Sequence, residues 1–151
     1  MNDKAMVRFL VESLGIEGIH RMPTEAEITA TRAFIEGDGR IGSLIALQAV
    51  YAPGKPLRDK VGMNVRVGGH IAPPGCPGIT ARLIAIIAEP DPWKQHVWFE
   101  HLHPFMDGNG RTGRALWART MFECGHDPFA LPFLHRFYYQ TLSANDRWDA
   151  A

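Results

Sequence analysis

Apolar side chains recur at helical spacing along most of this chain. In residues 3–14, DKAMVRFLVESL, the positions Met6, Phe9 or Leu10, and Leu14 follow that period and predict a first helix. Asn2 or Asp3 is placed to cap it. Thr24-Glu25-Ala26-Glu27, after Pro23, has the form of a capping box, so a second helix is expected to run to about Glu36 and to stop at Gly37-Asp38-Gly39. Residues 41–51 are apolar on most faces and predict a third, buried helix. Pro53, Gly54 and Pro56 mark 52–62 as loop. Residues 63–71, MNVRVGGHI, are the one strand region: Val65 and Val67 alternate with polar residues, and Gly68-Gly69 suits a tight hairpin turn. Beyond a Pro/Gly-rich stretch, 79–88 and 92–102 read as helices separated by Glu89-Pro90-Asp91-Pro92. Another helix should run from Asn109 or Gly110 to Cys124, with Gly125 closing it. A last helical pattern covers 129–142, broken near Pro132. The fold class expected is all-α with one small β-hairpin.

Composition narrows the function classes. A chain of 151 residues is long enough for one domain with a real core. A net charge of +0 argues against a general nucleic-acid or membrane surface, so neither partner is expected. Cys76 and Cys124 are isolated thiols rather than a disulfide framework or a zinc set, which fits a reducing compartment. Asp3, Arg8 and Glu12 interrupt the N-terminal apolar residues, which excludes a signal peptide or membrane span there; a cytoplasmic location is expected.

The chemistry concentrates in His103–Arg114, HPFMDGNGRTGR. Glycines allow backbone N–H groups to approach phosphate oxygens, and a helix starting at Gly108-Asn109-Gly110 aims its free N–H groups at an anion. Arg111 and Arg114 are i,i+3 neighbours on that helix, so both forks are expected to reach one ligand. Asp107 suits a Mg²⁺ ion, which takes one or two carboxylates plus phosphate oxygens. His103 takes a proton near neutral pH without special tuning. Rival readings fit less well. Gly108-Asn109-Gly110-Arg111-Thr112-Gly113 matches the dinucleotide-binding G-x-G-x-x-G, but Pro104 and Asp107 stand where a strand is required. A P-loop needs Lys after its last glycine, where Arg114 stands. His101-Leu102-His103 would pair on a metal only on a strand.

These twelve residues resemble the signature of the Fic family, HPFx(D/E)GNGRxxR, with every defining position filled. The resemblance extends over roughly residues 20–142, and His96, Phe99 and Leu102 stand at the family's spacing before His103. It implies a Fic-type helical bundle and a protein adenylyltransferase that moves AMP from ATP to a Ser, Thr or Tyr hydroxyl. By implication His103 is the catalytic base, Asp107 the Mg²⁺ ligand, and Gly108, Asn109 and Gly110 an anion hole for the α- and β-phosphates. Arg111 would hold the β-phosphate region and Arg114 the γ-phosphate, with Phe105 as core packing under the loop. Residues 63–71 resemble the family's flap, so Asn64, Val65, Arg66 and Val67 are expected to pair with an extended segment of the target, which is another protein or the chain itself. Doc-type kinases carry lysine in place of Gly110. Other phosphate-containing donors use similar motifs.

Ser13-Leu14-Gly15-Ile16-Glu17-Gly18 is similar to the family's inhibitory motif, (S/T)xxxE(G/N). Its place before the signature implies an inhibitory helix over residues 1–19, followed by the Fic domain over 20–151, within one globule. Ser13, Glu17 and Gly18 are the inhibitory residues; Glu17 is expected to pair with Arg114 and misplace the phosphates. A binding or regulatory module with a silent site is the alternative reading. The oligomeric state is open.

Overall fold

The computed structural model describes residues 3–130. The expected Asn2 cap, His135, Tyr138, Tyr139 and nearly all of the helix expected over 129–142 lie outside that range; residues 129 and 130 form a turn and a bend. Within it lie six helices: α1 (Asp3–Ile16), α2 (Glu25–Glu36), α3 (Ile41–Tyr51), α4 (Gly78–Ile87), α5 (Pro92–Leu102) and α6 (Asn109–Glu123). One antiparallel hairpin, β1 (Arg66–Val67) and β2 (His70–Ile71), sits between α3 and α4, with Arg66 opposite Ile71 and Val67 opposite His70.

Local chemistry sets the helix ends. The capping box of α2 is complete: the Thr24 hydroxyl accepts from the Glu27 backbone N–H, and the Glu27 carboxylate accepts from the Thr24 N–H. Asp91 caps α5 by accepting from the Lys94 N–H at 2.8 Å, with Pro92 in the first turn. Two expectations change. The strand region of 63–71 shrinks to two residues per strand, and Asn64 and Val65 lie outside it; the Asn64 side chain instead accepts from the Gly75 N–H. Helix α3 buries only Leu44, Leu47, Gln48 and Tyr51, while Ile45 is exposed, because one face alone has helices to pack against.

Helix α6 is the centre of the bundle, packed most extensively on α5 and also on α2, α3 and α1. It is built from small and polar residues: Thr112, Gly113, Arg114, Ala115, Ala118 and Arg119 are all buried. Small side chains let neighbouring helices close in around it. The apolar core is supplied mainly by the surrounding elements, with Met6, Phe9, Phe34, Leu44, Leu83, Phe99 and Phe105 in one cluster. Helix α1 contributes to this same cluster, so the segment carrying Ser13 shares its core with the rest of the described chain. Each fully buried Leu or Phe contributes about 1.5–3 kcal/mol relative to exposure.

Candidate active site

The site is built where α5 ends and α6 begins. Helix α5 stops because His103 turns left-handed (φ 49°), the one non-glycine residue with positive φ among those described. Such a conformation costs a non-glycine residue about 1–3 kcal/mol and persists only where its surroundings enforce it. His103 is half-buried, and its Nδ1 lies 3.1 Å from the Glu100 carbonyl. With Nδ1 assigned as the donor in that bond, Nε2 is left as the basic nitrogen. Burial lowers the His103 pKa below its ordinary value; the Glu100 bond opposes this, and the nearby charges of His70 and Arg58 reinforce it. The ring is therefore neutral at pH 7, as a general base must be.

Pro104 to Asp107 form the crossing to α6. Phe105 is fully buried and pairs with Leu57 as an isolated antiparallel bridge. The Asn109 side chain turns inward, accepting from the Phe105 N–H and donating to the Phe105 carbonyl, both at 2.8 Å. Its side chain thus clamps the loop, and only its backbone is left for an anion. Gln48 Nε2 donates to the carbonyls of Asp107 and Lys55. Asp107 itself is exposed, with Oδ1 accepting from the Gly108 N–H at 2.6 Å. Gly108 is left-handed (φ 75°), and a Cβ there would meet the Ala52 Cβ at 2.9 Å. These two facts make glycine necessary at the start of α6.

Arg114 is fully buried. Its Nε donates to the Ser13 hydroxyl at 2.8 Å, and its Nη2 donates to the Ser13 carbonyl at 2.9 Å and to Glu17 Oε1 at 2.6 Å. The structure thus brings Ser13 and Glu17 onto Arg114 across about a hundred residues of sequence. Glu17 also lies against the first turn of α6: a Cβ on Gly110 would run into Glu17 Oε1, with Arg114 Nη1 at 3.1 Å. A carboxylate therefore already sits where the N-terminus of α6 favours an anion. Gly18 follows in a left-handed turn (φ 71°) that ends this segment.

Arg111 does not converge with Arg114 on one point. Its Nη1 donates to the Tyr51 carbonyl at 2.7 Å and lies 4.0 Å from Glu27 Oε1, with the guanidinium carbon 5.6 Å from the centre of the Tyr51 ring. The partner Glu27 was visible in the sequence only as a capping residue. It is also gripped by both Arg21 nitrogens at 2.8 Å, and that contact, more than any other, holds its carboxyl down at about 2. Behind Arg114 lie two more groups. Burial, helped by the Arg114 charge, holds the His96 ring down at about 3. Burial pushes the Glu100 carboxyl up to about 8 against the pull of Arg114, and its Oε1 is shut off from solvent with no hydrogen-bond partner.

On the hairpin, Arg66 and Val67 are exposed and Val65 is half-buried. His70 fixes the hairpin over the end of α5, its Nε2 2.9 Å from the His101 carbonyl and its ring edge-on to that of His101 at 5.2 Å.

Residues 68–120 match the model of the Fic/DOC family. The protein adenylyltransferase Fic of Aedes aegypti is 34% identical over 100 residues, which takes in 57% of this chain and 20% of that protein. Its namesake in Drosophila melanogaster is 35% identical over 103 residues with the same coverage. A crystal structure of a Fic family protein from Desulfovibrio desulfuricans G20 superposes with a TM-score of 0.69 at 22% identity, covering 95% of this chain and 57% of that one. Residues 68–120 therefore carry a likeness to the Fic/DOC family. The chain spans about a fifth of the length of the curated relatives it matches. The structural likeness shows that, among the described residues, the helical fold shared with the Desulfovibrio desulfuricans protein reaches beyond residues 68–120. Two braces of this fold escaped sequence reasoning, Gln48 and Arg58, since neither stands in a pattern that marks a role. A buried arginine outside any motif leaves no periodic signal. Among the described residues no helix is long and apolar enough to cross a membrane.

Proposed function

We propose that this protein is a protein adenylyltransferase held in check by its own N-terminal helix. The observation that carries the proposal is the Glu17–Arg114 pair seated on the first turn of α6, beside an exposed Asp107 and a neutral His103. The named activity of the partial relatives supports it.

In this reading the target hydroxyl loses its proton to His103 Nε2 as its oxygen attacks the α-phosphorus of ATP. The bond from the α-phosphorus to the oxygen bridging the β-phosphate breaks, and pyrophosphate leaves. Backbone N–H groups of Asn109 and Gly110 stabilise phosphate charge, joined by that of Gly108 once it leaves Asp107 Oδ1, and Arg114 holds the γ-phosphate once Glu17 withdraws. Arg111 holds the β-phosphate region, which requires its guanidinium to leave Tyr51. The described residues contain no group of three or more potential metal ligands. A Mg²⁺ ion here fits as one held by Asp107, whose second carboxylate oxygen has no recorded partner, with phosphate oxygens and water completing its shell. That ion would supply charge neutralisation for the leaving pyrophosphate. The target segment pairs with the hairpin around Arg66 and Val67, and Asn64 and Val65 lead into that strand.

Label transfer from α-labelled ATP to protein, in the presence of Mg²⁺, tests this. Strong labelling in Glu17→Gly, weak labelling in the wild type and none in Glu17→Gly/His103→Ala is expected. Equal labelling of wild type and Glu17→Gly would overturn the autoinhibition. Bound ATP with no transfer in any variant and any target tried would point to the binding-module reading.

A further inference from the structure

Arg58 and Arg114 are the two largest fully buried side chains among the described residues. Arg58 lies in the loop after α3, outside every motif discussed above. A buried cation usually requires a carboxylate. Arg58 has none among the described residues, and every acceptor it uses is a backbone carbonyl. Its Nε donates to the His103 carbonyl at 2.6 Å and its Nη2 to the Leu102 carbonyl at 2.8 Å. Its Nη1 donates to the Met63 carbonyl at 3.0 Å and the Pro73 carbonyl at 2.8 Å. Its own backbone N–H donates to the Pro104 carbonyl at 2.8 Å, and its carbonyl accepts from the Cys76 N–H at 3.1 Å.

The placement of these acceptors carries the argument. Leu102 and His103 end α5, where helix carbonyls lack partners and the dipole presents negative charge. A guanidinium there satisfies both needs, and it grips His103, the one non-glycine residue among those described that is held in a left-handed conformation. Met63 and Pro73 stand on the two sides of the hairpin, before β1 and after β2. One rigid plane therefore joins the left-handed turn to both feet of the hairpin. Lysine has three donors on a single nitrogen and cannot span acceptors set around a planar fork.

We infer that Arg58 is a positioning residue that fixes the His103 turn and couples it to the hairpin, so that displacement of the hairpin is transmitted to the base. The role as base rests on the function proposed above; the coupling itself does not. A hairpin that shifts when a target strand docks moves Met63 and Pro73, and through them the carbonyl of His103.

The test compares Arg58→Lys and Arg58→Met with their parent in the full chain carrying Glu17→Gly. Three quantities are read: amide hydrogen exchange, the NMR titration of the His103 ring, and labelling from α-labelled MgATP. Exchange is expected to rise at 63–73 and 102–106 while α1, α2 and α6 stay protected. The His103 titration is expected to move upward in Arg58→Met, as the ring gains solvent and loses a nearby cation. Of the other groups facing that ring, Glu100 and His70 are unchanged in these variants, and Glu17 is already replaced in their common parent. The labelling rate is expected to fall roughly 100-fold with KM for MgATP nearly constant, the effect of a displacement of about 1 Å at the base. Unchanged exchange and titration in both variants would overturn the inference. So would a loss of protection across all helices in both, which would make Arg58 a general stability residue. If the parent itself does not label, the function proposal fails, while exchange and titration still decide the coupling.

Discussion

Removing the charge at Glu17 is the most informative perturbation of this fold, because the pair it breaks joins a fully buried cation to a carboxylate that is 30% exposed. A hydrogen bond to a charged group contributes about 1.5–3 kcal/mol, and solvent reaching Glu17 places this one at the low end. Glu17→Gln keeps an acceptor near Arg114 Nη2 and is expected to cost about 1 kcal/mol, the difference between a charge-assisted and a neutral bond. Glu17→Ala loses the acceptor as well and should cost about 2 kcal/mol. Orphaning a buried ion normally costs about 3–5 kcal/mol. The smaller figure follows from the groups behind Arg114. Ser13 keeps two hydrogen bonds to it, and Glu100, whose carboxyl stays protonated partly because Glu17 is charged, ionises more readily once Glu17 is gone. Glu100 then becomes the counter-ion. Glu17→Ala/Glu100→Gln should accordingly cost at least about 1 kcal/mol more than the two single changes together, which is within the range of coupling energies between neighbours. Urea unfolding at pH 7 compares the wild type with all four variants, Glu100→Gln included, and each kcal/mol should also lower Tm by about 2–4 °C. Additive effects in the double variant, or no loss in Glu17→Ala, would refute this account of Arg114.

Two further outcomes are expected. Asn109→Ala leaves the Phe105 N–H and carbonyl unsatisfied in the interior and should cost about 3 kcal/mol in chemical denaturation, two buried groups at about 1–3 each; a loss under 1 kcal/mol would show that the clamp is dispensable. Stability should form a plateau between pH 4.5 and 6.5 and decline on both sides. His96, held at about 3 when folded against an ordinary 6.5, destabilises the fold as pH falls below 6.5, and Glu27 loses its contribution as pH falls from 4.5 towards 2. Glu100 binds its proton up to about 8 when folded but only to 4.5 when unfolded, so it weakens the fold as pH rises through that range. Each group carries a slope of about 1.4 kcal/mol per pH unit, so His96 and Glu100 cancel in their overlap. Stability that rises from pH 6.5 to 8 would contradict the assignment.

Much of the molecule was legible in one dimension. Helix boundaries fell within a residue or two of expectation for α1 to α6, since caps and breakers are local: the Thr24 capping box, Pro92 in the first turn of α5, and Gly108 before α6. The dense signature from His103 to Arg114 carried the resemblance to the Fic family because its residues are consecutive and need no tertiary information to be found together. Exposure of α3 was misjudged for the opposite reason. An apolar sequence reports what a helix is able to bury, and only its neighbours decide which faces are covered.

The sequence by itself determined the elements, the signature and the residue types that chemistry requires. Tertiary structure alone decided their company. It placed Glu17 on Arg114 and against Gly110, turned the Asn109 side chain away from any anion, drew Arg111 towards Tyr51 and Glu27, and seated Arg58 beneath His103. The physical reason lies in range. Caps, turns and periodicity act over a few residues and leave their mark in adjacent letters, whereas the burial of a charge and the direction of a guanidinium depend on groups tens of residues away that only packing brings within about 3 Å.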